Sequence, residues 1–461
     1  MTMRRADAEL HIPDPRPIMR KDAVERLGSR LDQLAALLSD DERTALSAIL
    51  KIRDRQPTPA GLAALPADEV LTPREIEIFE QVKAEPVPTG RGLRPHTVVV
   101  MKSTRYCNLR CTYCHYWRDG PDQIMDFEVL VRATRGVIAA PTVRAVDFCW
   151  HGGEVTILPP AFYSKAFWIQ EQFRGPRQYV HNSLQTNATR LTPDWINFIK
   201  RHKLGVGVSL DGPPEVHDRR RVDVRGRTTA AQVRQGLDLL RANGISCGVL
   251  MVVDDDVIAA GAERVLTYLM DIGVKAVAVL NRLPDNDAVP GPYYEFPRQV
   301  EFFRDLFRLW WPRYVDRITI RELDDLVNRV KTGRGQMCIF DGNCMGGFLT
   351  VEPTGEVGAC DKFLGDDNYR FGNVLDIELA NLAAHSGFAA VDRDTAAGVE
   401  GTSSCPWFDV CHGGCPHDRY LRRRKGSSQG ESCCGLAPLL EDIAEAGAGL
   451  ASASAVSRKS D

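Results

Sequence analysis

Three cysteines at short spacing are the residues of this chain that are best suited to chemistry. Cys107, Cys111 and Cys114 follow the apolar segment 97–102, so a single loop after a predicted strand offers three thiolates. We call residues 107–114 the three-cysteine loop. Three thiolates on a cubane iron–sulfur cluster leave one iron without a protein ligand, and that iron can bind a cofactor and pass an electron to it. A zinc site is the alternative, although His115 is badly placed to be its fourth ligand.

The three-cysteine loop resembles the cluster-binding motif of the radical S-adenosylmethionine (SAM) superfamily, in which the amino and carboxylate groups of SAM bind the open iron. Tyr113, an aromatic residue before the third cysteine, also fits that pattern. The resemblance implies a [4Fe–4S] cluster on the loop, SAM as cofactor and an oxidoreductase that works through radicals. It also implies an α/β fold built on a partial (β/α)6 TIM-like barrel.

The composition is that of an ordinary globular protein. The chain has 461 residues, 44% of them hydrophobic and 26% charged, with a net charge of −3. This balance gives no electrostatic footprint for nucleic acid, and we find neither a signal-peptide core nor an apolar stretch that predicts a membrane span. The 13 cysteines favour metal ligation over a disulfide framework, so we expect a cytoplasmic protein.

Strand and helix patterns alternate along the middle of the chain, which is typical of a parallel sheet. We expect strands at 97–102, 145–150, 179–184, 205–210, 246–253 and 276–280, and helices at 126–139, 160–174, 193–202, 228–242 and 259–272. Asp126 and Thr192 are expected helix N-caps, and Gly244 is an expected C-terminal cap. These repeats suit the partial barrel, with further helices over its end at about 295–330.

The pattern divides the chain into four parts. Residues 1–95 are expected to be a helical extension and linker, with helices at 21–38 and 41–52, and to serve either as structure or in substrate recognition. Residues 96–330 form the barrel, and residues 331–443 form a loop-rich, cysteine-dense domain. Residues 444–461 are rich in Gly, Ala and Ser and are expected to be a flexible tail.

Polar and glycine residues follow the second, third and fourth predicted strands, where a parallel barrel gathers its active-site loops. Gly152 and Gly153 allow the backbone to approach a ligand closely, and Glu154 would place a negative charge beside the SAM ammonium. Four further residues could donate or accept hydrogen bonds to the ribose or the methionine end of SAM. They are Gln185, Asn187, Ser209 and Asp211. For the last two, shaping the turn is the alternative role.

An arginine cluster follows the fourth strand. Arg221 could pair with the SAM carboxylate through its planar guanidinium, and Arg219 and Arg220 compete for that role. The strings 151–154, 185–187 and 208–218 resemble the peptide-modifying branch that is typified by anaerobic sulfatase maturases and includes enzymes that modify ribosomally made peptides. Val155 stands where that branch commonly has proline, which removes turn rigidity but no chemical group.

The C-terminal cysteines resemble those of a SPASM domain, which carries two auxiliary [4Fe–4S] clusters. By that resemblance, the first cluster is held by Cys338, Cys344, Cys360 and Cys415, and the second by Cys405, Cys411 and Cys433. Thr402 stands where the pattern has a further cysteine, so the second cluster has an open iron, a non-cysteine ligand or Cys434 in that place. A zinc site with His412 or His417 is the alternative for this second group.

Two cysteines stand outside these groups. Cys149 and Cys247 lie within predicted strands and are expected to be small buried apolar residues. Asp361 follows the auxiliary ligand Cys360, and in sulfatase maturases an Asp at this position is the proposed general base. Burial and cluster charge are expected to raise the pKa of Asp361 toward neutrality. Bracing of the cluster loop is its alternative role.

The sequence therefore predicts a radical SAM enzyme that removes two electrons from a peptide side chain. We expect a ribosomal peptide precursor and a crosslink, such as a cyclophane or another C–C bond. The alternatives are a sulfatase maturase, which converts Ser or Cys to formylglycine, and a non-catalytic iron–sulfur or zinc binding module. The expected partners are the peptide or protein substrate and an electron donor such as a flavodoxin or ferredoxin, with neither nucleic acid nor membrane.

Overall fold

The computed structural model describes residues 60–114, 116, 123–282, 296–363, 366–424 and 432–457. The helices expected at 21–38 and 41–52 lie outside these residues. No helix within the described ranges is long and apolar enough to cross a bilayer.

One sheet runs through the described residues and carries the barrel. Its strands are β1 (His96–Thr104), β2 (Ala145–Gly152), β3 (Tyr179–Thr186), β4 (Gly205–Ser209), β5 (Gly248–Val253), β6 (Ala276–Asn281), β7 (Thr319–Ile320), β8 (Phe348–Val351), β9 (Glu356–Gly358) and β10 (Arg370–Asn373). Their order across the sheet is β10-β9-β8-β1-β2-β3-β4-β5-β6-β7. The strands from β8 to β7 in this order are parallel to their neighbours, whereas β9 and β10 are antiparallel additions. Because β7 and β10 are separate edges, the barrel is partial.

Helices cover the sheet and connect its parallel strands. Those of the described residues are α1 (Ala60–Ala63), α2 (Ala67–Val70), α3 (Pro73–Lys83), α4 (Phe127–Ile138), α5 (Pro160–Phe173), α6 (Pro193–His202), α7 (Pro214–Arg220), α8 (Ala230–Ala242), α9 (Asp255–Ala260), α10 (Ala262–Asp271), α11 (Phe296–Arg313), α12 (Arg321–Thr332), α13 (Ser386–Gly401), α14 (Phe408–Cys411), α15 (Pro416–Arg424) and α16 (Ala437–Ser457).

The strand–helix alternation predicted from the sequence is confirmed, and the differences are local. The helix expected at 259–272 is two helices, α9 and α10, which meet at Gly261. The hydroxyl of Thr192 caps α6 by accepting the Trp195 N–H at 3.4 Å. Asp126 occupies the N-cap position of α4, but its side chain makes no capping hydrogen bond. Gly244 follows α8 in the left-handed conformation, as expected of a C-terminal cap.

The core lies between the sheet and its helices. β1 is central and its burial is nearly continuous, because β2 and β8 flank it and helices cover it. Trp150 of β2 is 1% exposed, and its ring centroid lies 5.3 Å from that of Tyr163 and 6.2 Å from that of Phe167 on α5. Each side chain buried in this way contributes about 1.5–3 kcal/mol, so the strand ends are held on a rigid support.

The cysteine-dense domain continues the sheet of the barrel. β8 pairs in parallel with β1, with Phe348 opposite Val98 and Val351 opposite Met101. The expected domain boundary near residue 331 therefore does not interrupt the sheet. This pairing fixes the C-terminal cysteines relative to the strand that precedes the three-cysteine loop.

The segments at either side of the barrel also pack on it. The Phe79 ring of α3 lies 5.0 Å from Trp168 of α5, and Lys165 of α5 forms an ion pair with Glu75 at 2.6 Å. Near the other end of the chain, Asp442 of α16 accepts from Arg304 of α11 at 2.8 Å. α16 then continues as helix to Ser457, through the segment expected to be a flexible tail.

Candidate active site

The three-cysteine loop leaves the sheet directly after β1 and folds back on itself. The Leu109 N–H donates to Cys107 Sγ at 3.4 Å, and the Cys114 N–H donates to the Cys111 carbonyl at 3.1 Å. Leu109 is 1% exposed. The loop is thus fixed at the end of β1 by its own backbone and by one core side chain.

Burial controls the chemistry of these thiols. Burial first, and then the Glu154 carboxylate and the neighbouring sulfurs, raise the pKa of Cys107 to about 12. Burial likewise raises the pKa of Cys111 to about 11. Such thiols keep their protons until a cation replaces them, because a buried thiolate is poorly solvated.

The donor set fits an iron–sulfur cluster. Every cysteine of the chain is a free thiol, so no disulfide competes for the sulfurs. Within the described ranges, no three His, Cys, Asp or Glu side chains are already set at metal-binding distances. Buried thiols at short spacing are nevertheless the ligands that such clusters take.

Two glycines at the end of β2 allow the loop to begin where it does. A Cβ on Gly152 would lie 2.3 Å from the Thr104 carbonyl oxygen, and one on Gly153 would lie 2.1 Å from that of Tyr106. The Gly153 N–H donates to Thr104 at 2.7 Å, and the Glu154 N–H donates to Tyr106 at 2.8 Å. The close approach expected of these glycines is therefore to the chain itself, at the start of the three-cysteine loop.

Glu154 is a buried carboxylate that accepts four hydrogen bonds. It is 1% exposed. One oxygen, Oε1, accepts from Thr156 N–H at 3.0 Å and from the hydroxyls of Thr156 and Thr186 at 2.6 Å each. The other, Oε2, accepts from the Asn187 N–H at 2.7 Å. Among the described residues, Glu154 accepts hydrogen bonds but takes part in no ion pair.

A ring of three polar side chains joins the end of β3 to the three-cysteine loop. Asn187 donates to Asn108 at 3.0 Å, Asn108 donates to Thr189 at 2.8 Å, and Thr189 donates back to Asn187 at 2.7 Å. Asn108 was not singled out from the sequence, although its place between Cys107 and Cys111 is a signal that could have identified it. The side chain of Asn187 thus positions the loop.

Gln185 and Ser209 form a pair across neighbouring strands. The Gln185 amide donates to the Ser209 hydroxyl at 2.9 Å. A Cβ on Gly207 would lie 2.0 Å from Gln185 Oε1, so the pair occupies space that only glycine leaves on β4. The structure therefore brings together two residues that the sequence assigned to separate strand ends.

Asp211 lies at the centre of a buried network after β4. It is 1% exposed and accepts from Arg221 at 2.8 and 3.2 Å, from the Tyr113 hydroxyl at 2.6 Å and from the Val252 N–H at 3.0 Å. Burial opposes ionisation, but the Arg221 guanidinium holds the pKa of Asp211 below its usual value. Arg221 also lies 5.4 Å from the centre of the Tyr113 ring. The network therefore fixes Tyr113, which precedes the third cysteine of the loop.

This network distinguishes the three candidate arginines. Arg221 is buried in the site, where Asp211 engages it. Arg220 contacts Asp254 at 2.8 Å, and the exposed Arg219 contacts Asp256 at 3.2 Å. Arg221 is the one that lies beside the three-cysteine loop, and its fork is occupied by a carboxylate of the chain.

A buried lysine that sequence reasoning missed connects the strand before the three-cysteine loop with the segment after Cys360. Lys102 of β1 is 3% exposed, and its Nζ lies 3.2 Å from His151 Nδ1 and 3.5 Å from Asp361 Oδ2. Burial and then Lys102 lower the pKa of His151 to about 3. Burial raises the pKa of Asp361, but Lys102 and His151 outweigh it and bring that pKa below its usual value. The prediction that the pKa of Asp361 rises is therefore wrong when only the protein's own groups act on it. The sequence did not show that Lys102 lies beside this carboxylate.

Four cysteines of the C-terminal domain act on one another electrostatically. Burial raises the pKa of Cys338 to about 11 and that of Cys344 to about 12, and the Cys415 sulfur is the next cause for both. The pKa of Cys360 is raised by burial, by Asp361 and by the sulfurs of Cys344 and Cys338. Each of the four residues assigned to the first auxiliary cluster is thus within electrostatic range of at least one of the others, and their joint ligation of a cluster stays a prediction.

The remaining C-terminal cysteines form two close pairs. Cys405 Sγ lies 3.5 Å from Cys433 Sγ, and Cys411 Sγ lies 2.9 Å from Cys434 Sγ. Thr402 is 1% exposed, and its hydroxyl donates to a backbone carbonyl of α13 at 2.8 Å. The structure thus places Cys434 with the three cysteines assigned to the second cluster.

The two histidines of the zinc alternative have other neighbours. His412 Nδ1 lies 3.1 Å from the Phe340 carbonyl oxygen and 3.4 Å from the Arg329 guanidinium. The His417 ring packs edge-on against Phe363, with centroids 4.8 Å apart. The four thiols are a more complete donor set than either histidine offers.

The two cysteines outside these groups differ from expectation. Cys149 and Cys247 are both partly buried, and neither is fully enclosed. Burial raises the pKa of Cys149 to about 11, and Asp361 raises it as well. Cys149 therefore lies near the polar cluster of Lys102 and Asp361.

The fold and the site together, with three thiols on a loop at the carboxyl end of a partial parallel barrel, suit an enzyme of the iron–sulfur class. Residues 101–260 match the model of the radical SAM superfamily. The chain therefore carries a radical SAM domain, as the three-cysteine loop predicted.

Curated relatives extend the likeness beyond this domain. A cysteine-type anaerobic sulfatase-maturating enzyme of Clostridium perfringens is 28% identical over 332 residues, which cover 70% of this chain and 89% of that enzyme. A serine-type anaerobic sulfatase-maturating enzyme of Bacteroides thetaiotaomicron is 26% identical over 362 residues, with 72% and 85% covered.

Solved structures agree with the fold. The structure of anSMEcpe with bound AdoMet and the Kp18Cys peptide has a TM-score of 0.65 and 26% identity, and the match covers 76% of this chain and 96% of that one. Streptococcus suis SuiB bound to its precursor peptide SuiA has a TM-score of 0.52 and 12% identity, with 78% of both chains covered. The second likeness is one of fold alone.

Proposed function

We propose that this protein oxidises a side chain of a peptide or protein by two electrons, with SAM as the source of the radical. The observation that carries the proposal is the 3.5 Å contact between Lys102 of β1 and Asp361 of the C-terminal domain. It brings a cysteine segment of that domain to the strand from which the three-cysteine loop leaves. A substrate bound there would have hydrogen abstraction on one side and acceptors for an electron and a proton on the other.

The ligand sets follow from the grouping of the thiols. The three-cysteine loop would hold one [4Fe–4S] cluster, and two cysteine groups of the C-terminal domain would hold auxiliary clusters. When bound, the barrel cluster and SAM would supply a 5′-deoxyadenosyl radical after one electron passes to SAM, which also releases methionine. An electron donor such as a flavodoxin or ferredoxin would restore that electron.

Residues at the strand ends would bind and orient SAM. The buried Glu154 has no cation among the described residues, and the SAM ammonium would supply one. Gln185 and Ser209 present a polar edge that suits ribose hydroxyls. Asp211 and Arg221 would act less directly, because they engage each other and hold Tyr113.

Asp361 would take the proton in the oxidation. Hydrogen abstraction leaves a carbon radical on the substrate, and net oxidation then requires the loss of one electron and one proton. The electron would pass to the first auxiliary cluster, next to which Asp361 lies in the chain. Lys102 favours the ionised carboxylate, and an ionised carboxylate is the form that accepts a proton.

Peptide modification is supported by the sulfatase-maturating relatives and by the similar structure with a bound peptide. For the crosslink predicted from the sequence, the comparison offers a likeness of fold to SuiB, which was solved with its precursor peptide SuiA. The sulfatase-maturating enzymes are more similar in sequence and favour the alternative product, formylglycine. Both products are compatible with the same electron acceptor and proton acceptor, because each requires hydrogen abstraction followed by the loss of an electron and a proton.

The test is incubation of the anaerobically reconstituted enzyme with SAM, reductant and candidate peptides. Both a crosslink and a formylglycine made from serine lower the peptide mass by two hydrogens, but only formylglycine reacts with a hydrazide. Formylglycine made from cysteine also loses sulfur. Deoxyadenosine without any change in peptide mass, for peptides of both kinds, would contradict the proposal.

The role of Asp361 has its own test. Asp361→Asn keeps the shape of the side chain and removes its basicity, so product formation should fall by roughly a hundredfold while deoxyadenosine still forms. Asp367→Asn is the matched control, because Asp367 lies in the same domain with its side chain 87% exposed. Near-normal product from Asp361→Asn, or loss of iron, would reject the base role.

A further inference from the structure

The second group of C-terminal cysteines contains one thiol more than the resemblance assigns. Its four sulfurs come from three short segments, which contribute Cys405, Cys411 and the adjacent Cys433 and Cys434. The 3.5 Å and 2.9 Å contacts each join one of the first two cysteines to one of the last two. Because Cys433 and Cys434 are neighbours in the chain, the two pairs lie beside each other.

Thr402, which stands in the place of the expected cysteine, is committed to the helix end. Its hydroxyl donates to the Val399 carbonyl at 2.8 Å, so the side chain turns back on α13. A Cβ on Gly413 would lie 2.3 Å from the same hydroxyl oxygen. Thr402 is therefore packed beside the cysteine segment but is engaged within its own helix, and a neutral hydroxyl is a poor ligand for iron in such a cluster.

Cys434 is positioned by close packing. It is 2% exposed, and a Cβ on Gly414 would lie 3.0 Å from Cys434 Cβ, so glycine at 414 leaves the room that Cys434 occupies. The 2.9 Å between the sulfurs of Cys411 and Cys434 is longer than the about 2.05 Å of a disulfide bond. Two buried thiols that are not bonded to each other remain available as ligands of one metal centre.

A cavity lies between the end of β6 and the C-terminal domain and has a volume of about 50 Å³. Cys415 of the first auxiliary group, Lys362 and Cys434 all line it. Cys434 therefore lies beside the same cavity as a cysteine of the first group.

We propose that Cys434 is the fourth protein ligand of the second auxiliary cluster, in the place where Thr402 departs from the SPASM pattern. This inference rests on the proposed auxiliary clusters. Four thiolates give each iron of a [4Fe–4S] cluster a protein ligand, so no iron is open to bind substrate. The second auxiliary cluster is then an electron carrier beside the first, and substrate chemistry stays at the barrel.

The experiment measures iron, acid-labile sulfide and the electron paramagnetic resonance spectrum of anaerobically reconstituted enzyme. Three full clusters hold about twelve irons per chain, and Cys434→Ser should lower this to about eight with the loss of one cluster signal. Cys433→Ser should do the same, and Cys247→Ser, at a partly buried thiol outside both groups, should change nothing. Cys434→Ala is measured in parallel, because it adds no polar atom to a buried position. Deoxyadenosine formation should persist in every variant and reports that the barrel is folded.

Several outcomes would overturn the proposal. The first is a full iron content and an unchanged spectrum in Cys434→Ser. The second is loss of all iron in both Cys434 variants while Cys433→Ser keeps two clusters. The third is a disulfide between Cys411 and Cys434 in the anaerobic wild-type protein. Wild-type protein with no more than about eight irons, or with zinc in this group, would overturn it as well. Failure of the proposed radical chemistry is read separately, from deoxyadenosine and peptide mass.

Thr402→Cys gives an independent check. If Cys434 already completes the ligand set, an added thiol at 402 should leave the rate of iron loss in air unchanged. Slower loss from Thr402→Cys would mean that the fourth position is open in the wild-type protein, which contradicts the proposal.

Discussion

Replacement of Glu154 by glutamine tests whether the buried carboxylate serves SAM or only the chain. Each carboxylate oxygen accepts one backbone N–H, from Thr156 on one side and from Asn187 on the other. These two donors cannot turn away, whereas the threonine hydroxyls can rotate. Whichever way the glutamine amide is oriented, its NH2 group therefore faces one fixed N–H. We expect a loss of about 1–3 kcal/mol in the free energy of unfolding from that unsatisfied donor.

The effect on SAM is separate from the effect on stability. If Glu154 holds the SAM ammonium, the lost charge should reduce the free energy of SAM binding by about 1.5–3 kcal/mol, which raises the dissociation constant roughly ten- to hundredfold. The assay is anaerobic calorimetry or equilibrium dialysis with SAM, on protein whose iron content has been measured first.

A matched control separates the two effects. Glu322 of α12 is 2% exposed and accepts the N–H of Val279 on β6 at 2.8 Å, and four strands separate β6 from β1 in the sheet. Glu322→Gln should leave the SAM dissociation constant within about twofold of wild type. If Glu154→Gln retains its iron and binds SAM as tightly as this control, the carboxylate only braces the loops and our reasoning is wrong.

Three further predictions follow from the geometry. Replacing all three cysteines of the three-cysteine loop by alanine should abolish deoxyadenosine formation while iron stays in the C-terminal domain; loss of all iron would refute the separation of sites. Arg221→Met should lower the free energy of unfolding by about 3–5 kcal/mol in chemical denaturation, because it leaves the Asp211 charge buried and unpaired. Arg234→Met removes an exposed ion pair within one helix and should lower the free energy of unfolding by less than about 1 kcal/mol. Equal losses would refute this reasoning. Gly153→Ala should release the barrel iron, since its Cβ would meet a carbonyl oxygen at 2.1 Å, and Gly447→Ala, with open space around it, should retain that iron.

Local pattern was sufficient for much of the barrel. The apolar run before the three-cysteine loop and the cap at Thr192 depend on neighbours along the chain, so strand and helix positions could be predicted from periodicity. The same holds for the clustering of chemistry at strand ends, because parallel strands bring their carboxyl ends to one edge. What the pattern missed was the set of contacts within the chain, such as the close approach of Gly152 and Gly153 to the start of the three-cysteine loop; the contact of these glycines with a ligand stays a prediction.

The sequence by itself determined which thiols are available and which strands precede them, since ligand spacing and hydrophobic period are local properties. Only the tertiary structure decided which distant charges meet. Lys102 reaches Asp361 because β8 adds to β1, and the thiol of Cys434 reaches that of Cys411 because remote segments pack together. Such contacts depend on the register of segments far apart in the chain, and that register is set by burial of the whole core.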